Sequence, residues 1–479
     1  MNAHLRPFQG RRYHFSGVGG SGMAPLALLA ASLGADVTGS DRNHDRGIEL
    51  PIFDHLARGG VRLAAQDGSA VHAGLDAVVY STAVERSNPD FRAAEELGVT
   101  LVRRGSFLAS IAGARRAVAV AGTSGKSTVT AMVAHIFVRE GLDPSFLGGG
   151  AAVDLPGTIP PGSLRLGGSD WFVVETDESD GSVAEFAPAI SLLTNLSRDH
   201  KEIDETARNF GRLLEQTRET LVLHVGDAPL ARVPLPAGLR TIRVAVEDET
   251  TWSEPDLVAR RLRMDPFGVS YDLAGTTVRV PFPGRLTVEN SLHAIVAATA
   301  AGIPLARAAA ALGDFAGVRR RLERVGVVND VDVFDDYAHN PVKIEAALEA
   351  LRPPGSLWVY YQPHGYGPTR FFADALVETF KSVIRPGDRL LLAPIYDAGG
   401  TADRSIRSED LVARLAALGV PATVAGTRDG TALLLAEARP GDRIVVMGAR
   451  DDTLPLFARS LLPVLAARPT AAASRPDPR

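Results

Sequence analysis

The chain has 479 residues, 45% of them hydrophobic and 22% charged, with a formal net charge of −5 at pH 7. That length exceeds one core and sets an expectation of two or three domains, and the lack of any block of Lys and Arg gives no sign of a nucleic-acid partner. The absence of cysteine excludes disulfides, thiol nucleophiles and cysteine-bound zinc; with neither a signal-peptide core nor an apolar run of membrane-span length, the expectation is a cytoplasmic enzyme with no membrane partner.

The first block runs to about Gly113. "RRYHFSGVGGSGMAPLALLAASLGADVTGSD" reads as a strand, a glycine-rich turn, a helix and a second strand. Gly17, Gly19 and Gly22, with Gly20 between them, satisfy G-x-G-x-x-G, and Asp41 ends the following strand. Such a turn lets backbone approach a diphosphate at a helix N-terminus. Taken alone, the pattern fits a tight strand-to-helix turn with no ligand about as well. "DAVVYSTAVERSNPDF" is a further strand, ending at Ser81 and Thr82.

The second block opens on "RRAVAVAGTSGKST". Its loop, Gly122-Thr123-Ser124-Gly125-Lys126-Ser127-Thr128, lacks the first glycine of the usual phosphate-loop pattern, where Val120 stands. Backbone N–H groups there are placed to cradle phosphates, Lys126 to supply a point charge, and Ser127 to ligate Mg²⁺. In "DWFVVETDESDGS" four apolar residues precede Glu175, a carboxylate suited to a nucleotide-bound Mg²⁺; Asp177, Glu178 and Asp180 read individually as an acidic surface loop. "AISLLTNLSRDH" is a strand ending at Asn195, with Asp199 and His200 beyond it; a lone His there is more often structural than a metal ligand. A helix is expected over Thr206–Arg218, then an antiparallel insertion through "TIRVAVEDETTWSEP" and "YDLAGTTVRVPFPG", then a helix on "VENSLHAIVAATAAGI".

The third block starts near "GVRRRLERVG". Arg319, Arg320 and Arg321 form either a solvated face or a source of a cation for a γ-phosphate. "VDVFDDYAHNP", "SLWVYYQPHGYGPTR", "DRLLLAPIYDAGG" and "DRIVVMGARDD" are strands ending in polar loops, the position at which open α/β sheets bind ligands. From residues alone, Asp336 and His339 fit strand-end hydrogen bonds as readily as nucleotide contacts. The expected boundaries are 1–113, 114–318 and 319–465, with a disordered Ala-, Pro- and Arg-rich tail over 466–479.

In series, "GVGGSGMAPLA", "AGTSGKST", "ETDESDGS", "LTNLSRDH", "DDYAHNP" and "QPHGYGPTR" resemble the motifs of the Mur ligase family, over nearly the whole chain and in the family's order. The resemblance implies an α/β, three-domain architecture: a Rossmann-like N-terminal domain, a P-loop ATPase centre and a Rossmann-like C-terminal domain. It implies ATP-dependent amide formation between a UDP-sugar carboxylate and an amino acid through an acyl phosphate, for peptidoglycan precursors. The motifs are most similar to those of members that add L-alanine to UDP-N-acetylmuramate. Another amino acid, a peptide, or a catalytically weak nucleotide-binding paralogue are the alternatives.

By resemblance, Gly17, Gly19, Gly20, Gly22, Asp41 and Ser81 hold UDP, and residues 122–128 with Asn290, Arg321 and Asp336 hold ATP. Ser127, Glu175 and His200 hold magnesium, and His339 approaches a phosphate. The departures are Ser124 where His is usual, Leu286-Thr287 for His-Asn before the adenine-side Asn290, Asn340 in "YAHNP", and Gly365 for an Arg. A lysine that relatives carbamoylate is missing from "NFGRLLEQT", where Glu215 offers a carboxylate.

Overall fold

A computed structural model describes residues 8–82, 84–159, 162–197, 202–397 and 403–467. Backbone proximity groups the chain into two compact units. The first comprises Met1–Arg263, Ser270–Pro281 and Thr287–Ala316; the second comprises Met264–Val269, Phe282–Leu286 and Gly317–Arg479.

The first unit contains one whole sheet and most of a second. One is parallel throughout, in the order β3-β2-β1-β4-β5, from β1 (Arg12–Ser16), β2 (Asp36–Ser40), β3 (Val61–Ala64), β4 (Ala77–Tyr80) and β5 (Leu101–Arg103). Strand order reverses at β1, and the turn of Gly17 to Gly22 leaves the carboxyl end of that strand. A crevice for a ligand forms at such a switch point because the connections on either side depart to opposite faces.

The second sheet is built from β6 (Arg116–Ala121), β7 (Ser145–Leu147), β8 (Thr158–Ile159), β9 (Leu164–Arg165), β10 (Trp171–Glu175), β11 (Ile190–Leu193), β12 (Thr220–His224), β13 (Arg240–Val246), β14 (Leu257–Asp265), β15 (Gly268–Leu273) and β16 (Thr276–Val280). Its order is β16-β15-β14-β13-β12-β11-β6-β10-β7-β9-β8. The pairs β10–β6, β11–β6, β11–β12 and β10–β7 are parallel. Such strands are covered on both faces, which is why Ala117 to Ala121 are all buried and the sequence shows no alternation.

The expected antiparallel insertion is corrected in part. β13 pairs parallel with β12, and β14 parallel with β13, so both extend the same sheet. Only beyond β14 does the chain reverse through tight links, one of them Ala274-Gly275 at φ +50° and +82°. Two positive φ values are what a two-residue hairpin turn of matching twist requires. The helix expected at Thr206–Arg218 runs over Ile203–Gln216, with Asp204 and Glu205 in its first turn, where acids favour an N-terminus.

The second unit carries β17 (Glu323–Val328), β18 (Val331–Asp336), β19 (Leu357–Gln362), β20 (Arg389–Leu392), β21 (Ala422–Val424) and β22 (Arg443–Gly448), in the order β17-β18-β22-β19-β20-β21. Only the β17–β18 pair is antiparallel. Alternate residues feed two cores: Val359, Tyr361, Val445 and Met447 pack into one, and Trp358, Tyr360, Ile444 and Val446 into the other. The period of two follows from the pleat. The three sheets are the three α/β blocks read from the sequence. The last helix, Leu454–Ala466, overlaps the start of the expected tail, and residues 468–479 lie outside the described residues.

Candidate functional site

The loop after β6 is shaped by two glycines that admit no side chain. Gly122 has φ +143°, and a Cβ there would lie 2.0 Å from Thr194 Oγ1. Gly125 has φ +79°, and its Cβ would lie 2.4 Å from Asn290 Oδ1. Both values fall where L side chains are disfavoured. Asn290, on the helix Arg285–Ala300, therefore stands against the phosphate-type turn itself. Asn195 braces the loop from the end of β11. Its Oδ1 accepts from Thr123 N at 3.1 Å, Ser124 N at 2.8 Å and Thr123 Oγ1 at 2.8 Å, while its Nδ2 donates to Ser124 O at 3.1 Å.

The helix Lys126–Arg139 starts directly at the loop, with Gly125 as its N-cap and no acid in its first turn. Lys126 Nζ donates to Gly122 O at 2.8 Å and pairs with Glu178 Oε2 at 2.6 Å. Glu178 is buried, which corrects the reading of this residue as part of an acidic surface loop. Ser127 Oγ donates to Glu175 Oε1 at 3.1 Å, and Glu175 Oε2 accepts from Gly149 N at 2.6 Å. A buried hydroxyl beside a carboxylate is a hard oxygen donor set of the kind Mg²⁺ takes alongside phosphates and water. Among the described residues no group of three or more His, Asp or Glu could hold a metal without other ligands. Asp199 and His200 lie outside the described residues.

Asp177 stands between these two acids. Burial pushes its carboxyl up, but hydrogen bonds from Ser179 and the charges of Arg104 and Lys126 outweigh this and leave it below the usual range. Arg104 Nη2 donates to Asp177 Oδ2 at 2.8 Å. The same guanidinium lies against the first-sheet turn, with Nη1 3.2 Å from where a Cβ on Gly22 would be. In that turn Gly17 has φ +76°. Gly20 N donates to Gly17 O at 3.2 Å, and Gly19 N donates to Asp41 Oδ2 at 3.0 Å. Asp41 Oδ1 accepts from Asn43 N at 2.8 Å, so both oxygens hold backbone. Ser81 follows β4, and its carbonyl accepts from Val84 N at 3.0 Å. Glu215 is exposed on the helix Ile203–Gln216.

In the second unit Asp336 is buried. Its Oδ2 accepts from Leu322 N at 2.7 Å and its Oδ1 from Ala338 N at 2.7 Å, while burial raises its pKa. These bonds hold a strained segment in which Arg320 and Leu322 have φ +60° and +46°. The guanidinium groups of Arg320 and Arg321 both lie over the Tyr337 ring, at 4.9 and 4.8 Å. Arg320 also donates to Gly448 O at 2.7 Å and faces Asp335 at 3.5 Å; it is no part of a solvated face. Burial pushes Asp335 up to about 7. The ring of His339 meets that of His364 at 4.7 Å, and its Nδ1 lies 2.8 Å from Tyr337 O.

Three family models match in chain order: "Mur ligase family, catalytic domain" over residues 12–116, "Mur ligase middle domain" over 120–298, and "Mur ligase, glutamate ligase domain" over 320–450. The UDP-N-acetylmuramate–L-alanine ligase of Burkholderia ambifaria is 34% identical over 458 residues, covering 92% of this chain and 95% of its own. The chain belongs to the Mur ligase family.

The corresponding ligase of Sinorhizobium medicae is 32% identical, covering 92% of this chain and 94% of its own. Among solved structures, the UDP-N-acetylmuramate–alanine ligase of Thermotoga maritima superposes with a TM-score of 0.72 at 23% identity, over 95% of this chain and 98% of that one. The murein peptide ligase of Psychrobacter arcticus gives 0.65 at 25%, over 96% and 100%. Within this Mur ligase, Thr194, Asn195, Glu178, Asp177 and Arg104 join the expected loop residues. Asn195 and the acids were visible as strand-end polar residues. Nothing in the sequence paired Arg104, the first residue of the helix after β5, with an acid loop more than seventy positions on.

Proposed function

We propose that the chain is an ATP-dependent ligase joining L-alanine to the carboxylate of UDP-N-acetylmuramate through an acyl phosphate. The observation that carries this reading is the placement of Lys126, Ser127 and Glu175 around one glycine loop in a chain that matches an alanine-adding relative over 92% of its length. We assign 1–113 to the UDP substrate, 114–318 to ATP, and 319–465 to the amino acid and part of the nucleotide. Gly17, Gly19, Gly20, Gly22, Asp41 and Ser81 face the UDP group; residues 122–128, Asn290, Arg321 and Asp336 hold ATP.

A carboxylate attacking a γ-phosphate meets like charge, so the site must supply cations before the bond forms. Lys126 supplies one. Bound Mg²⁺, held by Ser127 and Glu175 with His200 at a second position, would neutralise phosphate oxygens. Glu178 holds Lys126 in place until phosphate competes for it. In the second unit His339 is the group for the phosphate end and the stretch of residues 362–367, from the end of β19 into the next helix, receives the amine. ATP and a UDP-sugar are supplied in the cytoplasm, the expected location. No described helix is long and apolar enough to cross a membrane.

One feature favours a larger amine as a second reading. Gly365, at φ +116° and ψ 152°, has nothing nearer than 3.8 Å to its Cβ position, leaving open space where the family resemblance implies an Arg. The deciding assay is phosphate release from ATP with UDP-N-acetylmuramate and a panel of amino acids and muramyl-type peptides. Release dependent on L-alanine supports the first reading, and dependence on a peptide the second. No amine-dependent release with any combination refutes both.

A further inference from the structure

Three neighbouring acids at the end of β10 and just beyond it each grip a different part of the first unit. Glu175 meets Ser127, Glu178 meets Lys126, and Asp177 meets Arg104. The first two belong to the nucleotide loop and the third reaches the other sheet. Arg104 is a fork. Its Nη2 is spent on Asp177, while its Nη1 lies beside Gly22 and makes no hydrogen bond among the described residues. The helix Met23–Ser32 begins at that glycine with no side-chain cap and no acid in its first turn. A Cβ at Gly22 would lie 3.2 Å from Nη1 and 3.3 Å from Cδ, a tight contact, so the glycine gives the guanidinium room beside the turn.

We propose that Arg104 is a positioning residue that couples occupancy of the first-sheet glycine turn to the nucleotide loop. This rests on the reading of that turn as the site of a diphosphate-bearing substrate. A diphosphate there takes the free Nη1 donors, since guanidinium matches phosphate oxygens in a planar fork. Nη2 then stays on Asp177 with its direction fixed. Asp177 Oδ1 is already held by Ser179 N at 2.9 Å and Ser179 Oγ at 2.6 Å, so ordering its carboxylate orders the segment. That segment carries the partners of Lys126 and Ser127. Bound UDP-substrate therefore pre-arranges the nucleotide loop, and the coupling is positive. Arg103 tethers the same stretch independently, through Asp180 O at 3.1 Å and Glu185 Oε1 at 2.7 Å, so loss of Arg104 leaves the two sheets docked.

The test is calorimetric titration of the full chain with a non-hydrolysable ATP analogue and Mg²⁺, with and without saturating UDP-N-acetylmuramate. The unmodified protein binds the analogue roughly fivefold or more tightly when the UDP-substrate is present, and the reciprocal titration gives the same factor. Asp177→Asn reduces that factor to within about twofold of unity while keeping most of the affinity for UDP-N-acetylmuramate, because Asp177 does not touch the glycine turn. Arg104→Lys loses the coupling too, since one ammonium cannot serve both positions, and supplies the test if Asp177→Asn does not fold. Folded variants that keep the full coupling, or an unmodified protein that binds both ligands without coupling, overturn the proposal. An unmodified protein that does not bind UDP-N-acetylmuramate overturns the functional reading instead.

Discussion

Replacing Asn195 by Ala tests whether the nucleotide loop is held from outside. The side chain makes two bonds to loop backbone N–H groups, one to the Thr123 hydroxyl, and one back to Ser124 O. Each such bond contributes about 0.5–1.5 kcal/mol net, so the three backbone bonds sum to roughly 1.5–4.5 kcal/mol. Ser124 is half-buried and regains water when the amide goes, which favours the lower part of that range. If the loop must be restored to its bound shape by ATP, about 1.5–3 kcal/mol comes out of binding, a loss of roughly tenfold to a hundredfold in affinity. Calorimetric titration with the ATP analogue measures it directly. Asn195→Asp keeps the acceptor but sets a negative charge beside the phosphates and removes the donor to Ser124 O, so it binds no better than the alanine variant. An affinity for Asn195→Ala within about twofold of the unmodified protein, at unchanged thermal stability, would refute the bracing role.

Lys126→Ala abolishes phosphate release and also strands the buried Glu178, lowering stability by roughly 2–4 kcal/mol; adding Glu178→Gln restores the melting temperature but not the activity. Glu175→Gln keeps the contact geometry with Ser127 while removing charge, and raises the free Mg²⁺ needed for half-maximal release; an unchanged Mg²⁺ dependence would remove Glu175 from the metal site. His293 supplies a pH test. Burial, with the charge of His224, pushes its pKa down to about 3, so the folded chain binds fewer protons there than the unfolded chain between about pH 3 and 6.5. Stability therefore rises with pH across that window by up to about 1.4 kcal/mol per unit from this residue. His293→Leu flattens the acid limb of the urea midpoint against pH by about one proton, and an unchanged slope counts against a buried neutral imidazole.

Local sequence signals set the order of strands and helices and the glycine turn between β6 and the helix Lys126–Arg139. Apolar runs such as Ala117 to Ala121 and glycines at tight turns are local signals: a doubly covered strand needs no alternation, and a positive φ favours glycine. Glu175 was legible for the same reason, as a lone carboxylate closing an apolar strand. Glu178 was not, because three neighbouring acids look alike until one of them is turned inward onto Lys126. Nor was the parallel pairing of β13 and β14, since a strand with mixed faces carries no mark of its neighbour's direction. The tertiary structure alone decided what meets across the sheets: Asn195 under the loop, Asn290 against Gly125, and Arg104 between Gly22 and Asp177. Those contacts join residues far apart in the chain, and their energy depends on distances of a few ångströms that only packing sets.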